Sequence, residues 1–123
     1  MGRAHHRHYL VWCELGRTSL MREQGAPYDE LERNGVMLPV SRAEVEYRAP
    51  LSYDEEVRLY TEIERVRSRE VVFGYRFARP SDDATVALAR IALVSTDTTG
   101  RPIRLPPDVR DVLEHLAADP SIS

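Results

Sequence analysis

No lysine occurs in this chain: all 17 basic side chains among its 123 residues are arginine. Arginine's planar fork suits carboxylate and phosphate groups, so recognition of an anion stays open. Cysteine occurs once, at Cys13, which excludes an intrachain disulfide and fits a reducing compartment. No apolar run approaches the ~20 residues that a membrane-spanning helix needs. The first eight residues are polar and histidine-rich, without the apolar stretch of a secretory leader. Positive charge is not in excess. Twenty acidic residues leave a formal net charge of -3, which does not favour nonspecific nucleic-acid binding. Repeats and linkers are missing too, so residues 1–123 are expected to form one domain with a modest core. A cytoplasmic protein with no membrane or nucleic-acid partner is the expectation.

What is present is ordinary in amount, at 42% hydrophobic and 30% charged, and unusual in placement. From His8 to about Gln24 the pattern is helical with few polar gaps: Tyr9, Leu10, Val11, Trp12, Cys13, Leu15, Leu20 and Met21. A helix apolar nearly all round is buried on more than one side. Gly16 sits inside it, at a cost of up to about 1 kcal/mol relative to Ala, which suits close approach of a sheet. Gly25 and Pro27 stop the helix. Tyr28 to Arg33 is a helical turn closed by Asn34-Gly35.

From Val36 the period changes to two, cleanly in its later half up to Tyr47, while Pro39 places the early half at an edge or bulge. Further strands are expected over Glu56–Val66, Glu70–Arg79 and Thr85–Thr96, separated by turns at 67–69 and 80–83. Thr85–Thr96 is the most apolar and suits a central strand lying directly over the helix. Pro107 opens a last helix to about Ala118, with Val109, Val112, Leu113 and Leu116 as its stripe. One helix, four antiparallel strands and a terminal helix make the class α+β.

The stretch Gly2-Arg3-Ala4-His5-His6-Arg7-His8-Tyr9-Leu10-Val11-Trp12-Cys13-Glu14-Leu15-Gly16-Arg17-Thr18 resembles the helix motif of hotdog-fold acyl-CoA thioesterases of the YbgC / 4-hydroxybenzoyl-CoA thioesterase family. Gly2, His6, Tyr9, Leu10, Trp12, Glu14, Arg17 and Thr18 fall in register. Val45 to Asp54 and Arg101 to Pro106 are similar to two later family segments. The resemblance implies an antiparallel sheet wrapped around a long central helix. It also implies an acyl-CoA substrate with a short-chain or aromatic acyl group, and a homodimer or homotetramer. One departure stands out. The family's catalytic Asp lies three positions before the Gly matched by Gly2, which is two places upstream of Met1, and the strand before it is missing too. The expectation is a product longer at its N-terminus; a naturally shortened homologue is the alternative.

Thioester hydrolysis needs an activated water or nucleophile, an oxyanion donor and an acyl slot. By the motif register the donor is the backbone N–H of His6, at the helix N-terminus where the dipole favours an anion. Gly2, His5 and Tyr9 are placed beside the substrate by the same register. Glu14 is the remaining carboxylate on the helix. It is read as a partner of Arg17 or of a neighbouring chain, as a substitute base, or in a supporting site role. Arg67 and Arg69 bracket a hairpin tip, either as a solvated turn or as contacts to the coenzyme A phosphates. Cys13 is read as a small buried side chain. The cluster of His5, His6 and His8 lacks a Cys or carboxylate at ligand spacing, so no metal is expected, and no cofactor. The reading from another class is a non-catalytic hotdog protein that binds acyl groups or only assembles.

Overall fold

The structure, a computed structural model, describes residues 6–25, 28–50 and 56–118, with the side chains of 6–8 and 118 outside the description. In order come α1 (His6–Glu23), α2 (Tyr28–Arg33), β1 (Val40–Tyr47), β2 (Arg58–Val66), β3 (Glu70–Ala78), β4 (Thr85–Val94) and α3 (Pro107–Ala118). The four strands form one antiparallel sheet in the order β1-β4-β3-β2. No helix among the described residues is long and apolar enough to cross a membrane.

Alternation along the strands makes the core. Val71, Phe73, Tyr75 and Phe77 of β3 pair with Leu93, Ile91, Ala89 and Ala87 of β4. All eight are buried in one cluster with Tyr9, Cys13, Leu20 and Met21 of α1. Those four helix positions recur at helical spacing on one face. The alanines of β4 leave room for the aromatic side chains opposite. Val109, Leu113 and Leu116 of α3 close the same core from beside β2. At the end of α2, Gly35 adopts φ 82°, and the N–H groups of Gly35 and Val36 donate to the carbonyls of Glu32 and Leu31. This left-handed cap is open to glycine at no steric cost.

The elements agree with the sequence pattern to within a few residues, and three details depart from it. First, the stretch before β1 is not a strand. Met37 makes only an isolated bridge to Thr96, and a bulge separates Val40 from Arg42, next to Pro39. Proline cannot donate to the ladder there. Second, α1 is not enclosed. Val11 and Leu15 are 51% and 61% exposed, because a sheet of four strands covers one side of the helix and leaves another bare. Third, the closest backbone approach of the helix is to β2, not to β4. A Cβ on Gly16 would lie 2.5 Å from Thr61 Oγ1 and 2.9 Å from Leu59 Cδ2. β4 is interior to the sheet, as its apolar composition implies, but β2 supplies the contact for which Gly16 is needed.

Candidate functional site

The N-terminus of α1 is the natural place to start, because the first N–H groups of a helix have no partner within it. His6 is the first residue of α1, and the first turn carries no acidic side chain. Immediately beneath it lies an aromatic wall. Tyr9 meets Phe77 edge to face at 4.8 Å, Tyr47 at 5.2 Å and Trp12 at 5.4 Å between ring centroids. Such pairs add about 0.5–1.5 kcal/mol each beyond area burial. Burial, and secondarily Tyr47, raises the Tyr9 hydroxyl above its ordinary pKa, so it is a neutral phenol.

Tyr9 is only 2% exposed. It serves as a post under the helix end, in contact with the other rings of the wall. Gly2 and His5 lie outside the described residues. Arg67 and Arg69 are exposed on the β2–β3 reversal, where Arg67 N–H donates to Glu70 O at 2.7 Å and Ser95 N–H to Arg69 O at 2.8 Å. That reversal is at the other end of the sheet. Glu70 lies seven strand positions from Phe77, a separation of about 23 Å. Within one chain the structure does not bring these arginines to the helix terminus.

Glu14 is exposed and makes no ion pair within 4 Å among the described residues. It stands eight residues from His6, about 12 Å along the helix axis. Hydrogen-bond reach for a general base is about 2.6–3.2 Å. In one chain Glu14 is therefore out of reach of a carbonyl held at His6 N–H. Its charge instead supports Arg17, which is 8% exposed and lies over the sheet. Burial opposes the Arg17 charge, but a 3.5 Å hydrogen bond donated to Tyr75 Oη, together with Tyr75, Tyr28 and Glu14, tips the balance toward the charged form.

The Tyr28 hydroxyl is close enough to feel Arg17, yet among the described residues no hydrogen bond of good geometry reaches this buried group. Burial pushes Tyr28 up to about 12, against the pull of Arg17. Cys13, fully buried beside this group, is likewise pushed up to about 12 by burial, which makes it an inert thiol. The buried Arg17–Tyr75 contact was not visible in the sequence, because its partners are 58 positions apart. The inward phase of Tyr75 on β3 was the available signal.

Two hollows flank the sheet. One of about 630 Å³ lies over Gly74 on the face away from α1, among Glu44, Glu46, Glu62, Glu64, Arg76 and Arg90. The other, of about 470 Å³, is apolar and lies between α1 and β2, lined by Trp12, Leu15, Gly16, Ser19, Leu59 and Phe77. Although smaller, the second has the chemistry of a ligand slot and shares its helix with the anion-favouring terminus. Sequence reasoning marked Gly16 as a close approach but did not find the slot beside it.

Comparison with known proteins bears on this arrangement. Residues 1–113 match the family model described as the thioesterase-like superfamily. A putative acyl-CoA thioesterase, YneP of Bacillus subtilis (strain 168), is 36% identical over 86 residues, covering 70% of this chain and 62% of its own length. The chain thus spans less than two thirds of that relative. The acyl-CoA thioester hydrolase YbgC of Escherichia coli O157:H7 is 26% identical over 106 residues, covering 86% of this chain and 75% of its own. The crystal structure of DHNA-CoA thioesterase from Staphylococcus aureus superposes with a TM-score of 0.87 at 25% identity, covering 96% of this chain and 81% of that one.

Proposed function

The chain belongs to the thioesterase-like superfamily, and from that premise we propose that it hydrolyses the thioester of an acyl-CoA. Its α+β architecture is the hotdog fold of that superfamily. In the reaction, water adds to the thioester carbonyl carbon and the C–S bond breaks. The products are a carboxylic acid and the coenzyme A thiol, which takes up the proton released from water. The observation that carries the reading is the N-terminus of α1. It begins at His6, has no acidic side chain in its first turn, and is backed by the apolar wall of Tyr9, Phe77, Tyr47 and Trp12. A carbonyl oxygen that becomes negative at His6 N–H is stabilised by a donor that has no partner within the helix and by the helix dipole. The aromatic wall keeps water from one side and holds the helix end in place.

The base is the remaining need. Glu14 is too far along α1 to act at His6 of the same chain, so the reading assigns the base to the family's Asp, upstream of Met1. The expectation of a short-chain or aromatic acyl group rests on family resemblance alone. A single buried cysteine and a coenzyme A ester as substrate fit a cytoplasmic enzyme. We also infer a homodimer or homotetramer. Val11 on α1, with Val40 and Tyr47 on the edge strand β1, are large apolar side chains 48–51% exposed, and a second copy would cover them.

The test is release of free thiol from acetyl-, benzoyl- and decanoyl-CoA by the 123-residue chain and by a form extended upstream through that Asp. General base catalysis typically contributes 10²–10⁴-fold, so the extension should raise turnover by about that factor and Asp→Asn in it should remove the gain. Equal rates in both forms would dismiss the upstream base. Hydrolysis by neither would leave a protein that binds acyl groups without cleaving them, the reading that the distant position of Glu14 favours.

A further inference from the structure

We propose that the apolar slot between α1 and β2 holds the acyl tail, and that the enzyme prefers acyl chains of about eight to sixteen carbons. This rests on the thioesterase reading above, and it replaces the short or aromatic acyl group expected from resemblance. A thioesterase must house an acyl group, and this slot is apolar, about 470 Å³ in volume, and built from the same helix that presents His6 N–H. Its volume lies in the range of small-molecule sites, about 300–1,000 Å³.

The helix is the ruler. Trp12, at the near end of the slot, is six residues from His6, and Ser19, at the far end, is thirteen. At about 1.5 Å per residue these stand about 9 Å and about 20 Å along the axis from the donor. Carbon–carbon bonds of about 1.5 Å in an extended zigzag advance about 1.3 Å per carbon. With the carbonyl at His6, a chain reaches Trp12 at about its eighth carbon and Ser19 at about its sixteenth. A butanoyl or benzoyl group would stop short of the slot. Longer chains would lay methylenes along the edge of the Trp12–Phe77 pair, whose rings touch at 6.0 Å between centroids, and on toward Leu59. Leu15 on the rim is 61% exposed and would be covered by the same chain. Gly16 keeps helix and strand close here, since a Cβ would strike Leu59 and Thr61, so the slot has a firm floor.

The experiment pairs kinetics with binding on the chain as it stands and on the extended form. kcat/KM is measured for butanoyl-CoA and decanoyl-CoA, and affinity for the non-hydrolysable thioethers S-butyl-CoA and S-decyl-CoA by calorimetry. Each methylene buried is worth up to about fourfold, so S-decyl-CoA should bind at least tenfold more tightly than S-butyl-CoA, and kcat/KM should follow. Ser19→Phe fills the far end of the slot, and Leu15→Gln makes its rim polar. Both sites are exposed on α1, and if one variant fails to fold the other decides. Leu15→Gln is expected to cut the decyl-to-butyl ratio at least fivefold, and Ser19→Phe, which a ten-carbon chain does not reach, to cut the S-hexadecyl-CoA to S-decyl-CoA ratio by the same factor. If the chain hydrolyses nothing, the thioether ratio still decides the slot, so the two readings fail separately. A ratio near one, or a ratio unchanged in the variants, overturns the proposal. That result would leave the slot to another occupant.

Discussion

On the helix side of β3, Phe73 and Phe77 are fully buried and Tyr75 is 3% exposed, each opposite a small or branched residue of β4. On the other side the same strand carries Gly74 and Arg76. Glu64 lies across Gly74 and grips Arg90 through two hydrogen bonds of 2.7 and 3.2 Å, while Arg76 sits 4.5 Å over the Tyr60 ring. One face is held by volume, the other by charged side chains with solvent beside them. A close-packed face cannot give way without loss of contact, whereas a charged, flexible one can rearrange. The difference teaches where substitution is costly, and it can be broken or sharpened by experiment.

The largest effect is expected at Phe77. It is fully buried, pairs with Tyr9 and Trp12, and lines the apolar slot. Phe77→Ala should cost about 3–5 kcal/mol in chemical denaturation, from lost transfer energy plus the cavity left behind. It should also loosen the support of the α1 terminus. A loss below about 1 kcal/mol would mean that the helix side tolerates voids and that the contrast between the faces is false.

Gly16 comes next. Gly16→Leu forces bulk into a contact already 2.5 Å from Thr61 Oγ1, and overpacking of this kind costs about 1–3 kcal/mol. Thermal unfolding measures it. An unchanged melting temperature would show that α1 can lift from β2 freely. This position also shows what was legible in the sequence. A glycine inside an apolar helix announced a close approach, and the two periodicities, 3.6 then 2, marked every element. The interior position of β4 was legible from its run of small apolar residues. The coverage of α1 was not, because periodicity states which faces are apolar and not whether four strands suffice to cover them. For the same reason Val11 and Leu15 looked buried. At the candidate site, the motif register located the helix terminus at His6. Register carries no distance across a fold, so it could not show that Glu14 stands about halfway along the helix, or that Arg67 and Arg69 lie at the far end of the sheet.

The buried phenol of Tyr28 sharpens the comparison through pH. Its folded pKa is raised to about 12 from an ordinary value of 10.0, chiefly by burial and against the pull of Arg17. A raised folded pKa means that the unfolded chain gives up the proton first. Stability is therefore fully present below pH 10 and is lost as pH climbs toward 12. The loss should be on the order of 2 kcal/mol, since one pKa step is about 1.4 kcal/mol. Urea midpoints at pH 9 and pH 11 measure it. In Tyr28→Phe the fall between the two should shrink, with the remainder carried by Tyr75, whose pKa burial also raises. An equal fall in the variant would place Tyr28 in water.

The smallest effect belongs to the charged face. A Cβ at Gly74 would lie 2.9 Å from Cγ and Cδ of Glu64, as near as Gly16 is to Leu59. The distance is alike and the consequence is not. Glu64 is a long side chain at the edge of solvent, and it can swing aside at the loss of its bridge to Arg90, whose side chain is 53% exposed. Exposed bridges contribute little, because both partners are well solvated apart. Against that small loss stands a gain, since glycine inside a strand gives up about 0.5–1 kcal/mol relative to alanine. Gly74→Ala should therefore leave the melting temperature within about 3 °C of the parent. Glu64→Gln, which keeps the shape and removes the charge, should do the same, and the two changes together should add no more. A drop for Gly74→Ala as large as that for Gly16→Leu would show that Glu64 is held as rigidly as a core side chain. The outer face would then be a packed surface like the inner one.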